Sequence, residues 1–460
     1  MQKINWSDKT KLEQAGISVV KILKASGFQA FWVGGVVRNI LLNRESDNLD
    51  IATDATPEEV EKVLDQAKVN NKPVGKKFGS ILAILDNQKI EITTFRAEGR
   101  YSDNRHPDQV QFIKGYIEDA KRRDFTINAL YFDPIKKKLS DPTNGLKDLK
   151  AKLLRFVGNP KKRIDEDALR MLRGVRLATQ LGFKLEKNSF AAIKTRAKYI
   201  QGISGERIKA ELDKILLSDN RAEGIKLLDQ IGLLRFILPE IGELKKVFHK
   251  SKRYHLEGSV FEHTLLVLQS LPPDIDLLYA GMFHDLGKIR EAKKVYKNNE
   301  WVNTFHGHWD VSRKFFAEFA KKYRFSKKSK SLTDFLIKEH DRRPDFFSMS
   351  EQKRIKYAMH EDFPKLLDVW AADSAGNLRI TENDQKIPGN SKSVILGREV
   401  LKQINSKKSL IENLAQGDVV MKYSHLMPGR ELGQKIQDVT VQIVMGRIYD
   451  EKTLRKYLEV

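Results

Sequence analysis

The segment from Ala30 to Thr53 limits what this chain can fold into more than any other. A short apolar run, Ala30-Phe31-Trp32-Val33, stops at two adjacent glycines, Gly34 and Gly35. The chain continues as Val36-Val37-Arg38-Asn39 and resumes as Asp47-Asn48-Leu49-Asp50-Ile51-Ala52-Thr53. Paired glycines let the backbone approach a phosphate, because no Cβ intervenes. Arg38 can then fork onto phosphate oxygens. Residues two apart on a strand point to one face, so side chains 48 and 50 can share one Mg²⁺, a cation that takes oxygen ligands. A triphosphate cradle beside a metal is the start of a nucleotidyl-transfer site. Position 48 is Asn, which offers a neutral carbonyl oxygen in place of a charge.

The 460 residues allow two to four domains with substantial cores. A net charge of +22 attracts polyanions, with nucleic acid the first candidate. The chain has no cysteine, which excludes disulfides and thiolate zinc sites. Met1-Gln2-Lys3-Ile4-Asn5-Trp6 lacks the apolar run of a signal peptide, and no stretch of eighteen apolar residues predicts a membrane span. The expected compartment is a cytoplasm, with no membrane partner.

Residues 1–30 read as a helix leading into a strand at Ala30–Val33. Further strands are predicted at Leu49–Ala52, Ser80–Leu85, Lys89–Phe95 and Ala129–Phe132. Thr56-Pro57-Glu58-Glu59 opens a helix with an N-cap Thr, Pro at N1 and acidic first-turn residues. Asp141-Pro142-Thr143-Asn144-Gly145 is a turn cluster that closes an α/β unit. Helical patterning follows to about residue 245, including one amphipathic segment over Glu166–Leu181. Region 250–380 is helical and holds seven of the ten histidines, so a His-based metal site belongs there. Ser326-Lys327-Lys328-Ser329-Lys330-Ser331 reads as a solvated loop. The basic, helical tail is interrupted at Pro388-Gly389 and Pro428-Gly429.

Glu91, on the run Lys89–Phe95, is the candidate third metal ligand. In Lys121-Arg122-Arg123-Asp124-Phe125-Thr126-Ile127-Asn128-Ala129, Arg123 can hold phosphate, and Asp124 or Asn128 can bond ribose hydroxyls. Read as a helix, Glu166–Arg176 buries Ala168, Leu172 and Val175, with Thr179 beyond. Asp167, Arg170, Arg173 and Arg176 step along another face. One acid with several arginines can read a base edge and neutralise triphosphate. Taken alone, the same spacing suits a solvated salt-bridge ladder.

Together, Gly34-Gly35-Val36-Val37-Arg38, Leu49–Thr53, Arg122–Ala129 and Glu166–Arg173 resemble the family of class II tRNA nucleotidyltransferases and bacterial poly(A) polymerases. The resemblance implies an α/β head of the polymerase β nucleotidyltransferase type over residues 1–145. It implies an all-α remainder: neck and body to 248, an HD domain over 249–380 and a tail over 381–460. It places Gly34, Gly35 and Arg38 at the nucleotide with Arg123 beside them. It makes Asp167 and Arg170 a protein template for CTP or ATP, helped by Arg173 and Arg176. The family pattern is Asp-x-Asp, and this chain has Asn48-Leu49-Asp50. Asp47 is out of phase by one on a regular strand. Position 39 is Asn where the family has Asp.

His263, His284-Asp285 and Asp373 form a second constellation, in an order that resembles the HD phosphohydrolase superfamily. Nitrogen with carboxylate suits Ni, Mn, Co, Fe or Zn. His306, His308 and His340 are further candidates as ligands or phosphate contacts. The expected chemistry is hydrolysis of a 2′,3′-cyclic or terminal phosphate. Pro428-Gly429-Arg430-Glu431-Leu432-Gly433-Gln434-Lys435 resembles the tail of bacterial members and is expected to hold tRNA phosphates.

These readings predict an enzyme adding C, C and A to tRNA from CTP and ATP, with Asp50, Glu91 and Asn48 on Mg²⁺. Alternatives are a poly(A) polymerase, an HD phosphohydrolase whose head only senses nucleotide, and a non-catalytic RNA-binding protein.

Overall fold

The computed structural model describes residues 2–3, 6, 10–97, 110–248, 256–297, 300–380, 386–389 and 391–459; His255 lies outside them. The chain packs as two compact units. One comprises Met1–Ile215 and Lys226–Ile237, the other Leu216–Ile225 and Leu238–Val460.

The first unit is built on a mixed sheet. Its strands are β1 (Gln2–Lys3), β2 (Ala30–Val33), β3 (Leu49–Thr53), β4 (Asn70–Pro73), β5 (Ser80–Leu85), β6 (Gln88–Thr94), β7 (Tyr131–Asp133) and β8 (Lys138–Ser140). They lie in the order β1-β8-β7-β2-β3-β6-β5-β4. Only β3 and β6 pair in parallel; the other neighbours are antiparallel. Both faces of β2 are buried, which its unbroken apolar run requires. On one face Trp32, Leu49, Ile51, Ile90 and Ile92 meet Leu12, Ala15, Val19 and Leu23 of the helix Lys11–Ala25. On the other, Phe31, Val33 and Ala52 pack with Phe95, Ala129 and Tyr131. Two-residue alternation puts Asp50 and Glu91 on this second face.

The helix Pro57–Gln66 begins as its sequence signals. Thr56 Oγ1 accepts from Glu59 N, Glu59 returns to Thr56 N, and Pro57 occupies the first turn. The expected turn at 141–145 is held by Asp141, whose carboxylate accepts from Gly145 N and Leu146 N.

Two expectations fail. Glu166–Leu181 is not one helix: Pro160–Glu166 ends at Asp167, which is extended (φ −149°, ψ 105°), and a new helix runs Arg170–Leu181. The Asp167 carboxylate accepts the Leu169 N–H at 3.0 Å, a local bond that competes with helix continuation. The apolar assignments survive the break, with Ala168, Leu172, Val175 and Thr179 all buried. Residues 326–331 are not a loop. Ser326 accepts from Ser329 N as an N-cap and starts the helix Lys327–Glu339, anchored by buried Leu332 and Leu336.

The second unit is mainly helical. The helices Val260–Ser270, Ile275–Phe283, His308–Lys322, Lys327–Glu339 and Phe363–Gly376 surround a buried polar cluster, and two short hairpins interrupt the series (Lys293–Lys297 with Glu300–Thr304, Leu378–Ile380 with Lys386–Pro388). Tail helices to Leu458 pack around Val420, Val439, Ile443 and Leu454. No helix among the described residues is long and apolar enough to cross a membrane.

Gly287 closes the turn after Ile275–Phe283. Its N–H donates to Ser312 Oγ (2.8 Å), and Ser312 donates in turn to the His284 carbonyl (2.8 Å). A Cβ at Gly287 would stand 2.0 Å from the His308 carbonyl oxygen, in backbone that cannot swing aside. Gly287→Ala is expected to cost about 1–3 kcal/mol or more. Faster proteolysis and a lower melting temperature confined to the second unit would show it; an unchanged melting profile would refute it.

Candidate functional site

In the first unit, parallel pairing sets Asp50 directly opposite Glu91 on β6, while Val33 pairs with Asp50 across β2. Gly34 follows Val33 with φ +73°, and a Cβ there would stand 3.2 Å from Asp50 Oδ2. The glycine turn therefore lays bare backbone against the carboxylate. Burial, then the neighbouring Glu91, push Asp50 up to about 6, against the pull of Arg123 and Arg173. Two carboxylates this close resist joint ionisation until a cation joins them. Their donors are all oxygen, which fits a hard divalent metal. Asn48 is exposed and lies one residue before β3; Asp47, also exposed, precedes it.

The nucleotide candidates fall into linked ion pairs. Arg38 is buried and donates to Asn128 Oδ1 (2.7 Å) and to Asn39 Oδ1 (2.9 Å). Burial and the charge of Arg176 push Arg38 down to about 10, partly offset by Asp124. Asn128 donates to Asp124 (3.3 Å), which pairs with Arg173 (2.7 Å). Arg38, Asn128, Asp124 and Arg173 thus form one continuous network. Arg123 stands apart from it, donating to the Tyr131 hydroxyl (2.9 Å) and to Asp119 (3.1 Å).

Asp167 and Arg170 each have a partner that sequence reasoning did not single out. Arg207 donates to Asp167 Oδ2 (2.9 Å), and Arg170 donates to Glu166 (2.7 Å). Arg176 pairs with Glu211 (2.5 Å). Arg207 and Glu211 share the helix Gly205–Leu216. In sequence they are an ordinary i,i+4 charge pair, indistinguishable from a solvated helix face.

In the second unit the four expected residues converge. His263 Nε2 lies 3.0 Å from Asp373 Oδ1 and 3.3 Å from His284 Nε2. Asp285 Oδ2 lies 3.3 Å from His284 Nε2 and 3.7 Å from His263 Nε2. His308 and His340 join the same cluster, with Asp285, His308 and His340 forming a second buried trio that could hold a metal ion. Burial opposes a charge on His263, but Asp373 and Glu257 outweigh it and push this imidazole up to about 9. A metal bound here displaces that proton. The adjoining cavity, about 600 Å³, is lined by Lys288, Arg343, His306 and Asn377 besides the cluster. His306 is exposed and packs edge-on against Trp309 rather than entering the cluster.

Asp119 is the buried anchor of the head's arginines. Its side chain is fully buried, with Arg122 at 2.6 Å, Arg123 at 3.1 Å and the Tyr131 hydroxyl at 2.5 Å. Burial alone would raise its carboxyl, yet Arg122, Arg123 and Tyr131 hold it down at about 2. Because the folded value is depressed, the stabilisation is present above pH ~4 and is lost as pH falls towards 2. Asp119→Asn is expected to weaken the head by about 2 kcal/mol at pH 7, with the gap from wild type narrowing below pH ~4. Hydrogen exchange of β2 and β7 amides at pH 7 and pH 3 tests this, and an equal gap at both would sink the linkage.

Family models match two stretches: the Poly A polymerase head domain over residues 30–155, and the Probable RNA and SrmB- binding site of polymerase A over 182–244. The CCA-adding enzyme of Enterococcus faecalis is 44% identical over 207 residues, covering 45% of this chain and 50% of that enzyme. Against that relative, the chain spans about half its length. The CCA-adding enzyme of Streptococcus gordonii is 31% identical over 435 residues, covering 95% of this chain and 94% of that enzyme. The crystal structure of the Bacillus stearothermophilus CCA-adding enzyme in complex with CTP shares the fold, with a TM-score of 0.69 at 23% identity over 98% of this chain and 97% of that one. With the parallel β3–β6 carboxylates and the arginine network in place, and a relative matched nearly end to end, the chain belongs to the CCA-adding enzyme family.

Proposed function

We propose that this chain is a template-independent tRNA nucleotidyltransferase that adds C, C and A to the tRNA 3′ end from CTP and ATP. The observation that carries the reading is Asp50 in register with Glu91 beside the Gly34 turn. The RNA 3′-oxygen bonds to the α-phosphorus as the bond to the β-phosphate oxygen breaks, and pyrophosphate leaves. Asp50 and Glu91 would hold Mg²⁺, with the Asn48 carbonyl as a further oxygen. The metal supplies positive charge where the transition state gathers negative charge. Gly34, Gly35, Arg38 and Arg123 hold the triphosphate, and Asp124 or Asn128 the ribose. Asp167 and Arg170 face the base, with Arg173 and Arg176 beside them. Arg207 and Glu166 orient that pair, so the protein itself selects the nucleotide.

The remaining chain divides into a neck and body to 248, an HD domain over 249–380 and a tail over 381–460. The net charge of +22 suits tRNA, and the tail around Arg430–Lys435 holds its phosphates. This reading places the chain in the cytoplasm, where tRNA is processed. The CCA-adding relatives weigh for this reading over a poly(A) polymerase or an inactive sensing head. A second reading applies to the HD cavity: the convergence of His263, His284, Asp285 and Asp373 supports a phosphohydrolase using Mn, Fe, Ni, Co or Zn.

Incubation with a tRNA lacking CCA, Mg²⁺ and labelled CTP and ATP is expected to give a product that stops after C, C, A. A long A ladder would move the assignment to poly(A) synthesis, and no extension with tRNA still bound would refute transfer. Asn48→Asp adds a charge at the metal and is expected to lower the half-saturating Mg²⁺ by about tenfold, or about 1.4 kcal/mol. An unchanged Mg²⁺ dependence would place Asn48 outside the metal's ligands. Arg207→Ala releases Asp167 and is expected to blur CTP-versus-ATP choice by about tenfold; unchanged nucleotide choice would show Asp167 needs no orientation.

A further inference from the structure

The hairpin of Lys293–Lys297 and Glu300–Thr304 has two unlike faces. Val295 and Thr304 line the cavity beside the histidine cluster, and Val302, directly opposite Val295, shares that inner face. Alternation sends Lys294, Tyr296, Trp301 and Asn303 to the outer face. This outer face is aromatic and open to water: Tyr296 is 58% exposed and Trp301 62%. The two are direct cross-strand partners, with ring centroids 5.5 Å apart and planes at 62°. In such an edge-to-face pair one ring offers only its edge, so its flat surfaces stay uncovered by the other.

Asn303 carries this face on to a third ring. Its Nδ2 donates to the Phe248 carbonyl oxygen (2.5 Å), and the Phe248 side chain is itself exposed. The charge around the rings is positive. Exposed Lys294 shares their face, and exposed Lys245 and Lys246 lead into Phe248. An aromatic cross-strand pair also steadies a two-stranded hairpin. That role accounts for Tyr296 opposite Trp301, but for neither the third ring nor the lysines. Open rings among cations match an unpaired nucleic-acid strand, whose bases present π-faces and whose backbone is anionic. A duplex hides its base faces, and an acidic peptide would satisfy the lysines without using the rings.

We propose that the outer face of this hairpin binds an unpaired nucleic-acid strand, with bases stacked on Trp301, Tyr296 and Phe248 and phosphates on Lys294, Lys245 and Lys246. RNA is the strand that the transferase reading brings to the chain; the stacking surface itself does not rest on that reading. Stacking uses no base edges, so the site accepts any sequence. It differs in kind from the tail, whose proposed contacts are to the phosphates of folded tRNA. The inner face of the same hairpin keeps a bound strand next to the histidine-lined cavity.

The test titrates the full chain into a fluorescently labelled oligouridine that ends in a 3′-deoxynucleotide, in EDTA, so that neither proposed reaction bears on the result. Tyr296→Thr with Trp301→Thr keeps β-branched residues in the hairpin and is expected to weaken binding by about tenfold or more. Tyr296→Phe with Trp301→Phe keeps the rings and is expected to stay within about twofold of wild type. An RNA duplex of equal length is expected to compete about tenfold more weakly than the single strand. Unchanged affinity in the threonine variant, an equal loss in the phenylalanine variant, or equal competition by the duplex would each overturn the proposal. Should the threonine variant fail to fold, photocrosslinking of 5-iodouridine RNA to the unaltered chain decides. Adducts at Tyr296, Trp301 or Phe248 support the site, and adducts confined to other residues refute it.

Discussion

The parallel pairing of β3 with β6 is the constraint on which the head depends. Two carboxylates on neighbouring strands repel, and no isolated pair of strands would hold them in register. Here apolar burial holds them there. Leu49, Ile51, Ile90 and Ile92 occupy the alternate positions and are driven into the core, so Asp50 and Glu91 emerge together on the opposite face. A one-residue slip of either strand would bury a carboxylate and expose an isoleucine. The raised Asp50 shows that the fold spends stability to keep this charge arrangement.

Around that pair, the arginines are held in place rather than left to solvent. Arg123 is tied to Asp119, Arg173 to Asp124, Arg170 to Glu166 and Arg176 to Glu211. Each pairing trims the positive charge a triphosphate would meet, but fixes where the guanidinium points. Directed donors cost little reorganisation when a ligand arrives. The break at Asp167 belongs to the same logic. A continuous helix would carry Asp167 along the Arg170 face at fixed pitch, whereas the extended residue lets it meet Arg207.

The second unit orients its donors by a different device. His284, His308 and His340 use backbone carbonyls to fix their ring nitrogens, whereas His263 sits between the Glu257 and Asp373 carboxylates, and Ser312 locks the turn that carries His284 and Asp285. Buried imidazoles so held are rigid, and their positions follow from helix ends: Gly281 and Ile337 each lie three residues before the ring they orient.

Much of this was legible in the chain. The Gly34-Gly35 turn, the strand carrying Asp50, the helix capped by Thr56 and the His284-Asp285 pair depend on local rules, because capping, alternation and glycine freedom act over a few residues. The partners of those groups did not announce themselves. Asp119, Arg207 and Glu211 look like ordinary surface charges, and only packing reveals that Asp119 and Glu211 are buried against Arg123 and Arg176 and that a half-buried Arg207 meets Asp167. Ser326 and the helix it caps were hidden behind lysines whose charge suggested a loop. The sequence by itself determined which side chains are candidates for the chemistry and the order in which they come. The tertiary structure alone decided which of them meet, since residues such as His263 and Asp373 lie 110 positions apart and touch only when their helices pack.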